Sequence, residues 1–140
     1  MVWCARRTSL RANRVRFHRV YAVIATAIFL IEVCIALFVR DSFVRPVLGD
    51  VLAVMLVYSG VLAIVDLRPA AAALFSFAVG VGVEAIQYGN ALTHLGLEHV
   101  AVARIVLGTT FSWGDIVAYA VGAIVALAAD TQWRRATTRP

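Results

Sequence analysis

Four acidic side chains lie within or beside long apolar segments, where carboxyl groups are rare: Glu32, Asp50, Glu84 and Asp115. An ionised group near the centre of a bilayer costs about 2.5–3.5 kcal/mol even on the gentlest insertion scale. Such groups must therefore face the protein interior, pair with a cation or take up a proton. Carboxyl groups held in this way can bind a cation, carry a proton or act as a general base.

Glu84 and Gln87 are three residues apart, so they share one face of a helix, with Gly80 one turn earlier. Asp115 and Tyr119 share a second face, on which Ala118, Gly122 and Ala126 are small enough to allow close helix contact. We predict that these two faces meet and that their acids point into a helix bundle. An alternative for Asp115 is local, because Ser112 and Asp115 match a capping box at the start of a helix.

The composition requires a hydrophobic environment for most of the chain. Of its 140 residues, 62% are hydrophobic and 15% are charged, whereas soluble domains have roughly 25% charged residues. The sequence predicts an all-α fold, a four-helix transmembrane bundle with a short interfacial or re-entrant segment at about residues 92–108. The predicted spans are 20–39, 47–65, 70–88 and 111–129, each long enough to cross a bilayer. They form a membrane domain, 20–129, between polar, basic tails at 1–19 and 130–140.

All of the basic residues are arginines, and their distribution predicts the orientation of the chain. Four spans place both tails on one side, together with Arg68 in the turn between the second and third spans. That side holds most of the arginines, whereas Arg40, Arg45 and Arg104 lie on the other. The excess of juxtamembrane arginine predicts cytoplasmic tails in a bacterial inner membrane. Because the arginines cluster at the ends of apolar runs, we expect membrane-lipid contact and no nucleic-acid partner.

With this orientation, acids from all four spans reach one level near the outer surface. Two connecting segments border that level with further charged residues. The predicted polar site consists of Glu32, Asp41, Arg45, Asp50, Glu84, Gln87, Arg104, Asp115 and Tyr119. A purely structural reading stays open, in which arginines only neutralise Glu84 and a protonated Glu32 donates a hydrogen bond.

We expect no metal and no cofactor. His94, Glu98 and His99 lie close together, but their spacing matches no standard metal-ligand pattern.

Several separated polar positions carry a family resemblance that covers about residues 20–126. They are Glu32, the run 41–46 leading to Gly49 and Asp50, the pair Glu84 and Gln87, and the stretch from Arg104 through Gly108 to Trp113, Asp115, Tyr119 and Gly122. In these positions the chain resembles an uncharacterised family of small bacterial membrane proteins related to the VanZ-like group, which is named after an accessory glycopeptide-resistance protein. The resemblance implies a four-helix inner-membrane protein and supplies no catalytic residues.

Three functions are compatible with these features. The first is an envelope-associated binding or accessory protein for a lipid-linked or cationic ligand. The second is a small membrane enzyme acting on a lipid-linked substrate, with Glu84 or Glu32 as general base and Arg104 and Arg45 holding phosphate. The third is a proton- or cation-coupled carrier, which would be an oligomer because four helices are few for a transport path.

Overall fold

The computed structural model describes residues 18–39, 41, 44–88 and 112–137, and these contain four long helices. In chain order the helices are α1 (Arg19–Phe38), α2 (Val44–Ile64), α3 (Pro69–Tyr88) and α4 (Trp113–Thr137). All four are long and apolar enough to cross a membrane, and the described part of the chain has no β-strand. The predicted all-α, four-span architecture is confirmed. The segment at 92–108 lies outside the described residues.

The helix ends follow local sequence signals. Pro69 is the first residue of α3, a position at which proline costs no hydrogen bond because that N–H has no intrahelical partner. Pro46 lies in the first turn of α2, two residues after its start, where the same reason applies. At the other end of the chain, α4 passes beyond the predicted span boundary at residue 129 and ends at Thr137. The division of the chain at that boundary stays a prediction.

Helices α2, α3 and α4 pack against one another and form the interior of the bundle. Small residues allow this close packing: Ala72 and Ser76 on α3 are fully buried. Where α4 crosses α2, a Cβ atom added to Gly122 would lie 2.6 Å from the backbone oxygen of Val51. Glycine is therefore required at this crossing, because the obstacle is backbone and not a side chain that can rotate away.

Helix α1 has a peripheral position. It packs mainly against α2, and Ile28 is its one buried residue. Most of its large apolar side chains are exposed, as expected for a helix that is hydrophobic all round and faces lipid. At its beginning, the backbone N–H of His18 donates a 2.8 Å hydrogen bond to the carbonyl oxygen of Ala63, close to the end of α2.

Two exposed tryptophans indicate how the bundle lies in a bilayer. Trp113 and Trp133 are 74% and 64% exposed and stand 20 residues apart on α4. At a rise of 1.5 Å per residue they are separated by roughly 30 Å, the thickness of the hydrocarbon core. Tryptophan is enriched at both membrane interfaces, so the spacing of these two residues is the one expected for a helix that crosses a bilayer.

Candidate functional site

Glu84, in the last turns of α3, is the most deeply buried carboxyl group in the described residues, with 1% of its surface exposed. Both of its oxygens accept hydrogen bonds from groups of α4 or its N-cap. The Tyr119 hydroxyl donates to Oε1 at 3.3 Å, and the backbone N–H of Ser112 donates to Oε2 at 3.2 Å. Burial is tolerated because the carboxyl group exchanges water for these two donors.

Gly80 allows Tyr119 to reach Glu84. A Cβ atom added to Gly80 would lie 2.8 Å from Cγ of the Tyr119 ring, so the ring lies directly on the bare backbone of α3. Gly80 and Glu84 are one turn apart on the same face, and the phenol therefore points along α3 toward the carboxyl group. The two faces singled out in the sequence, one on α3 and one on α4, do meet.

Two further acids reach Glu84 from the beginnings of other helices. Asp115, in the first turn of α4, interacts through its side chain with Glu84 and with Asp50 of α2. Asp50 also interacts with Tyr119. Both aspartates are half-buried, in contrast to Glu84. We call Asp50, Glu84, Asp115 and Tyr119 the acidic cluster, and the end of the bundle that holds it the acidic end.

The start of α4 differs from the predicted capping box, in which Ser112 and Asp115 cap the helix together. The backbone N–H of Gly114 donates a 3.1 Å hydrogen bond to the Ser112 hydroxyl, so Ser112 is the N-cap. The interactions of the Asp115 carboxyl with Asp50 and Glu84 place it toward α2 and α3. Asp115 therefore participates in the acidic cluster as well as standing in the first turn of its helix, where the dipole favours an anion.

The acidic cluster concentrates like charges. Three carboxyl groups from three helices interact, and none of the ion pairs seen among residues 18–39, 41, 44–88 and 112–137 involves them. Neighbouring carboxylates repel one another, and the repulsion is strong in a medium of low dielectric. A positively charged group bound beside these carboxyl groups would relieve their mutual repulsion.

The other predicted site residues have different positions. Glu32 lies on α1, with no interaction with the acidic cluster, and its Oε1 is buried without a hydrogen-bond partner in the described part of the chain. Asp41 is exposed in the connection before α2. Arg104 and the side chains of Arg45 and Gln87 lie outside the described residues, as do His94, Glu98 and His99. Among the residues that the structure does describe, no group of three or more His, Cys, Asp or Glu side chains is placed to hold a metal ion.

A second polar cluster, absent from the predicted site, lies at the opposite end of the bundle. Asp130 of α4 is buried and accepts hydrogen bonds from the hydroxyls of Tyr21 at 2.6 Å and Tyr58 at 2.8 Å. Arg134, one turn later, pairs with Asp130 at 3.0 Å and donates to the Tyr21 hydroxyl at 2.8 Å. We call Tyr21, Tyr58, Asp130 and Arg134 the aspartate–tyrosine cluster; it connects α1, α2 and α4.

A signal for this second cluster exists in the sequence. The face of α4 that carries Tyr119, Gly122 and Ala126 continues, at a spacing of four, to Asp130 and then to Arg134. Extending the helix by two turns would have placed both residues on the buried face.

No curated protein and no solved structure matches this chain. A family described as a protein of unknown function (DUF2809) matches residues 39–123, from the end of α1 to the middle of α4. The matched region includes all four residues of the acidic cluster and excludes all of α1 as well as Asp130 and Arg134 of the aspartate–tyrosine cluster. Since the match covers more than half of the chain, the chain belongs to the DUF2809 family, whose function is unknown.

Proposed function

We propose that this is a bacterial inner-membrane protein, related to the VanZ-like group, that binds the ammonium group of a lipid-linked envelope ligand at the acidic end. The supporting observation is the meeting of three carboxyl groups, Asp50, Glu84 and Asp115, around Tyr119 at one end of a membrane-spanning bundle. The distribution of arginines favours the outer leaflet for that end and the cytoplasm for both termini.

The three acids of the acidic cluster differ in burial, and we assign them different roles for that reason. Asp50 and Asp115 are half-buried, and in this proposal their carboxyl groups bind the ammonium group. Glu84 is fully buried and engaged at both oxygens, so it acts as a positioning residue. In this proposal Arg45 and Arg104 hold the phosphate of the same ligand, since guanidinium groups bind phosphate through two parallel hydrogen bonds.

The contacts of Glu84 favour binding over catalysis. A general base must be within hydrogen-bond reach of the proton that it removes, but Glu84 is 1% exposed and each of its oxygens already accepts a hydrogen bond, from Tyr119 or Ser112. Glu32, the other proposed base, is apart from the acidic cluster. A membrane enzyme using either glutamate is therefore the weaker alternative.

The direct interaction of Asp50 with Asp115 supports a second candidate, a proton- or cation-coupled carrier. A proton shared by two carboxyl groups removes their repulsion, and its release would follow the binding of a cation. In this alternative, an oligomer supplies the path across the membrane. Vesicles containing the purified protein would take up a cation when a pH gradient is applied. Asp115→Asn would abolish this uptake.

The binding proposal can be tested with lipids that differ in one positive group. The protein is purified in detergent, and its thermal unfolding midpoint is measured with phosphatidylethanolamine or with N-acetylated phosphatidylethanolamine, which lacks the ammonium charge. The first lipid is expected to stabilise the wild type more strongly. The double variant Asp50→Asn/Asp115→Asn is expected to lose this difference.

Asp66→Asn is the matched control, because Asp66 is an exposed aspartate in the turn at the opposite end. It should retain the wild-type preference for the charged lipid. If wild type responds equally to both lipids, the proposed recognition of an ammonium group is wrong.

A further inference from the structure

A groove on the outer surface lies between the start of α3 and residues 124–131 in the middle of α4. It is a shallow depression with a volume of about 660 Å³ that is open on one side. The apolar part of its wall comes from residues of both helices: Pro69, Ala70, Ile124, Leu127 and Ala128. Several of these side chains are exposed, with Ile124 at 66%, so the groove opens outward to the surrounding lipid.

One charged residue, Arg68, lines this apolar groove. Its side chain is exposed and forms no ion pair or side-chain hydrogen bond with any residue in the described ranges. Thr131, the one hydroxyl in the wall, is already bonded to the carbonyl oxygens of Leu127 and Ala128. The groove therefore combines an apolar wall with one positively charged residue, Arg68, at its border.

The level of the groove matches the head-group layer. Thr131 stands two residues before Trp133, roughly 3 Å away along α4, and tryptophan is enriched at membrane interfaces. Ile124 is seven residues before Thr131, so the apolar wall extends roughly 10 Å into the hydrocarbon layer. Arg68 thus lies where lipid phosphates lie, and the wall below it lies where acyl chains begin.

We propose that this groove binds one anionic phospholipid, with the upper part of an acyl chain against Ala70, Ile124 and Ala128 and the phosphate paired with Arg68. A neutral apolar ligand would leave the arginine unused, whereas an anionic phospholipid satisfies both the charge and the apolar wall. This site is distinct from the acidic cluster, because it lies at the opposite end of the bundle and faces outward.

Native mass spectrometry of the delipidated protein, with phosphatidylglycerol or phosphatidylcholine added back in detergent, tests the proposal. The wild type is expected to retain one phosphatidylglycerol per chain in preference to phosphatidylcholine. Arg68→Gln should weaken phosphatidylglycerol binding about fivefold, as expected for the loss of one arginine near an anionic head group. Ala128→Phe fills the groove and should abolish retention of that single lipid.

Matched controls separate this site from general lipid attraction. Arg19→Gln removes the same charge at the same end of the bundle, on exposed α1, and Ala129→Phe adds the same ring one residue away from the groove wall. Both should behave like wild type. The proposal is overturned if Arg19→Gln weakens binding as much as Arg68→Gln, if Ala128→Phe retains the lipid, or if both lipids are held equally.

Thermal unfolding without added lipid confirms that each variant is folded. The altered side chains of Arg68→Gln and Ala128→Phe are exposed, so both variants should unfold at the wild-type midpoint in that measurement.

Discussion

The hydroxyl of Tyr119 donates a 3.3 Å hydrogen bond to Oε1 of Glu84, and this bond joins α4 to the most deeply buried acid of the described residues. The Tyr119 ring is positioned by its contact with the bare backbone of Gly80. The acidic cluster therefore depends on helix packing as much as on charge, and packing and charge can be tested separately.

Tyr119→Phe should lower the free energy of unfolding by about 1–3 kcal/mol, because a buried oxygen of Glu84 loses its donor while the ring is retained. Reversible unfolding in mixed detergent micelles measures this loss. A double-mutant cycle with Glu84→Gln then isolates the pair: the combined loss should differ from the sum of the single losses by about 0.5–3 kcal/mol. Strict additivity would show that the hydroxyl does not support Glu84.

Gly80→Ala should destabilise the protein by about 1–3 kcal/mol through overpacking. The new methyl group would lie 2.8 Å from Cγ of Tyr119. Because Cγ is the ring atom bonded to Cβ, rotation of the ring cannot relieve this contact and the whole ring must move. Gly82→Ala, on the same helix, is the control because nothing lies within 4 Å of its added Cβ. That variant should be neutral or stabilised by up to about 1 kcal/mol, since alanine favours helix. Equal losses in the two variants would contradict the proposed packing.

Gly122→Ala should be more damaging than Gly80→Ala. Its added Cβ would lie 2.6 Å from the backbone oxygen of Val51, so α2 and α4 must separate along their crossing. Gly60→Ala on α2 places its methyl group in open space and serves as the control. Thermal unfolding midpoints of the three alanine variants should fall in the order Gly60→Ala, Gly80→Ala, Gly122→Ala. A Gly122→Ala protein as stable as the Gly60→Ala protein would refute the close crossing.

Asp130→Asn should lower the free energy of unfolding by about 1.5–3 kcal/mol, the range for hydrogen bonds to a charged group. The variant loses the negative charge that pairs with Arg134 and that two tyrosine hydroxyls approach. Arg134→Gln should cost less, because the arginine side chain is 43% exposed and solvent screens its charge. Chemical unfolding of both variants provides the comparison. If Arg134→Gln is the more damaging change, the interpretation of Asp130 as the centre of the aspartate–tyrosine cluster fails.

Hydropathy and residue spacing predicted the four spans and the meeting of the α3 and α4 faces. The faces were readable because small residues recur beside Glu84 and Tyr119 at helical spacing, which restricts how the two helices can rotate. Such a restriction is absent from α1, whose composition is apolar on every side. The sequence therefore grouped Glu32 with Asp50, Glu84 and Asp115, whereas in the structure Glu32 has no interaction with these three acids.

The aspartate–tyrosine cluster illustrates a different limit. Asp130 and Arg134 follow the apolar stretch of α4 and stand among other polar residues. Their charges therefore led to the prediction that the span ends before them. Their partners, Tyr21 and Tyr58, are more than 70 residues away in the sequence. Only the three-dimensional arrangement of α1, α2 and α4 brings these side chains together, and no local pattern encodes that arrangement.

The peripheral position of α1 has a consequence for how the chain can vary. Helix α1 contributes few residues to the interior of the bundle. Its described hydrogen bonds to other helices lie at its beginning and involve His18 and Tyr21. The family match begins after the helix, at residue 39. The lipid-facing side of the first span can therefore change more freely than any other part of the bundle, provided that Tyr21 is kept for Asp130 and Arg134.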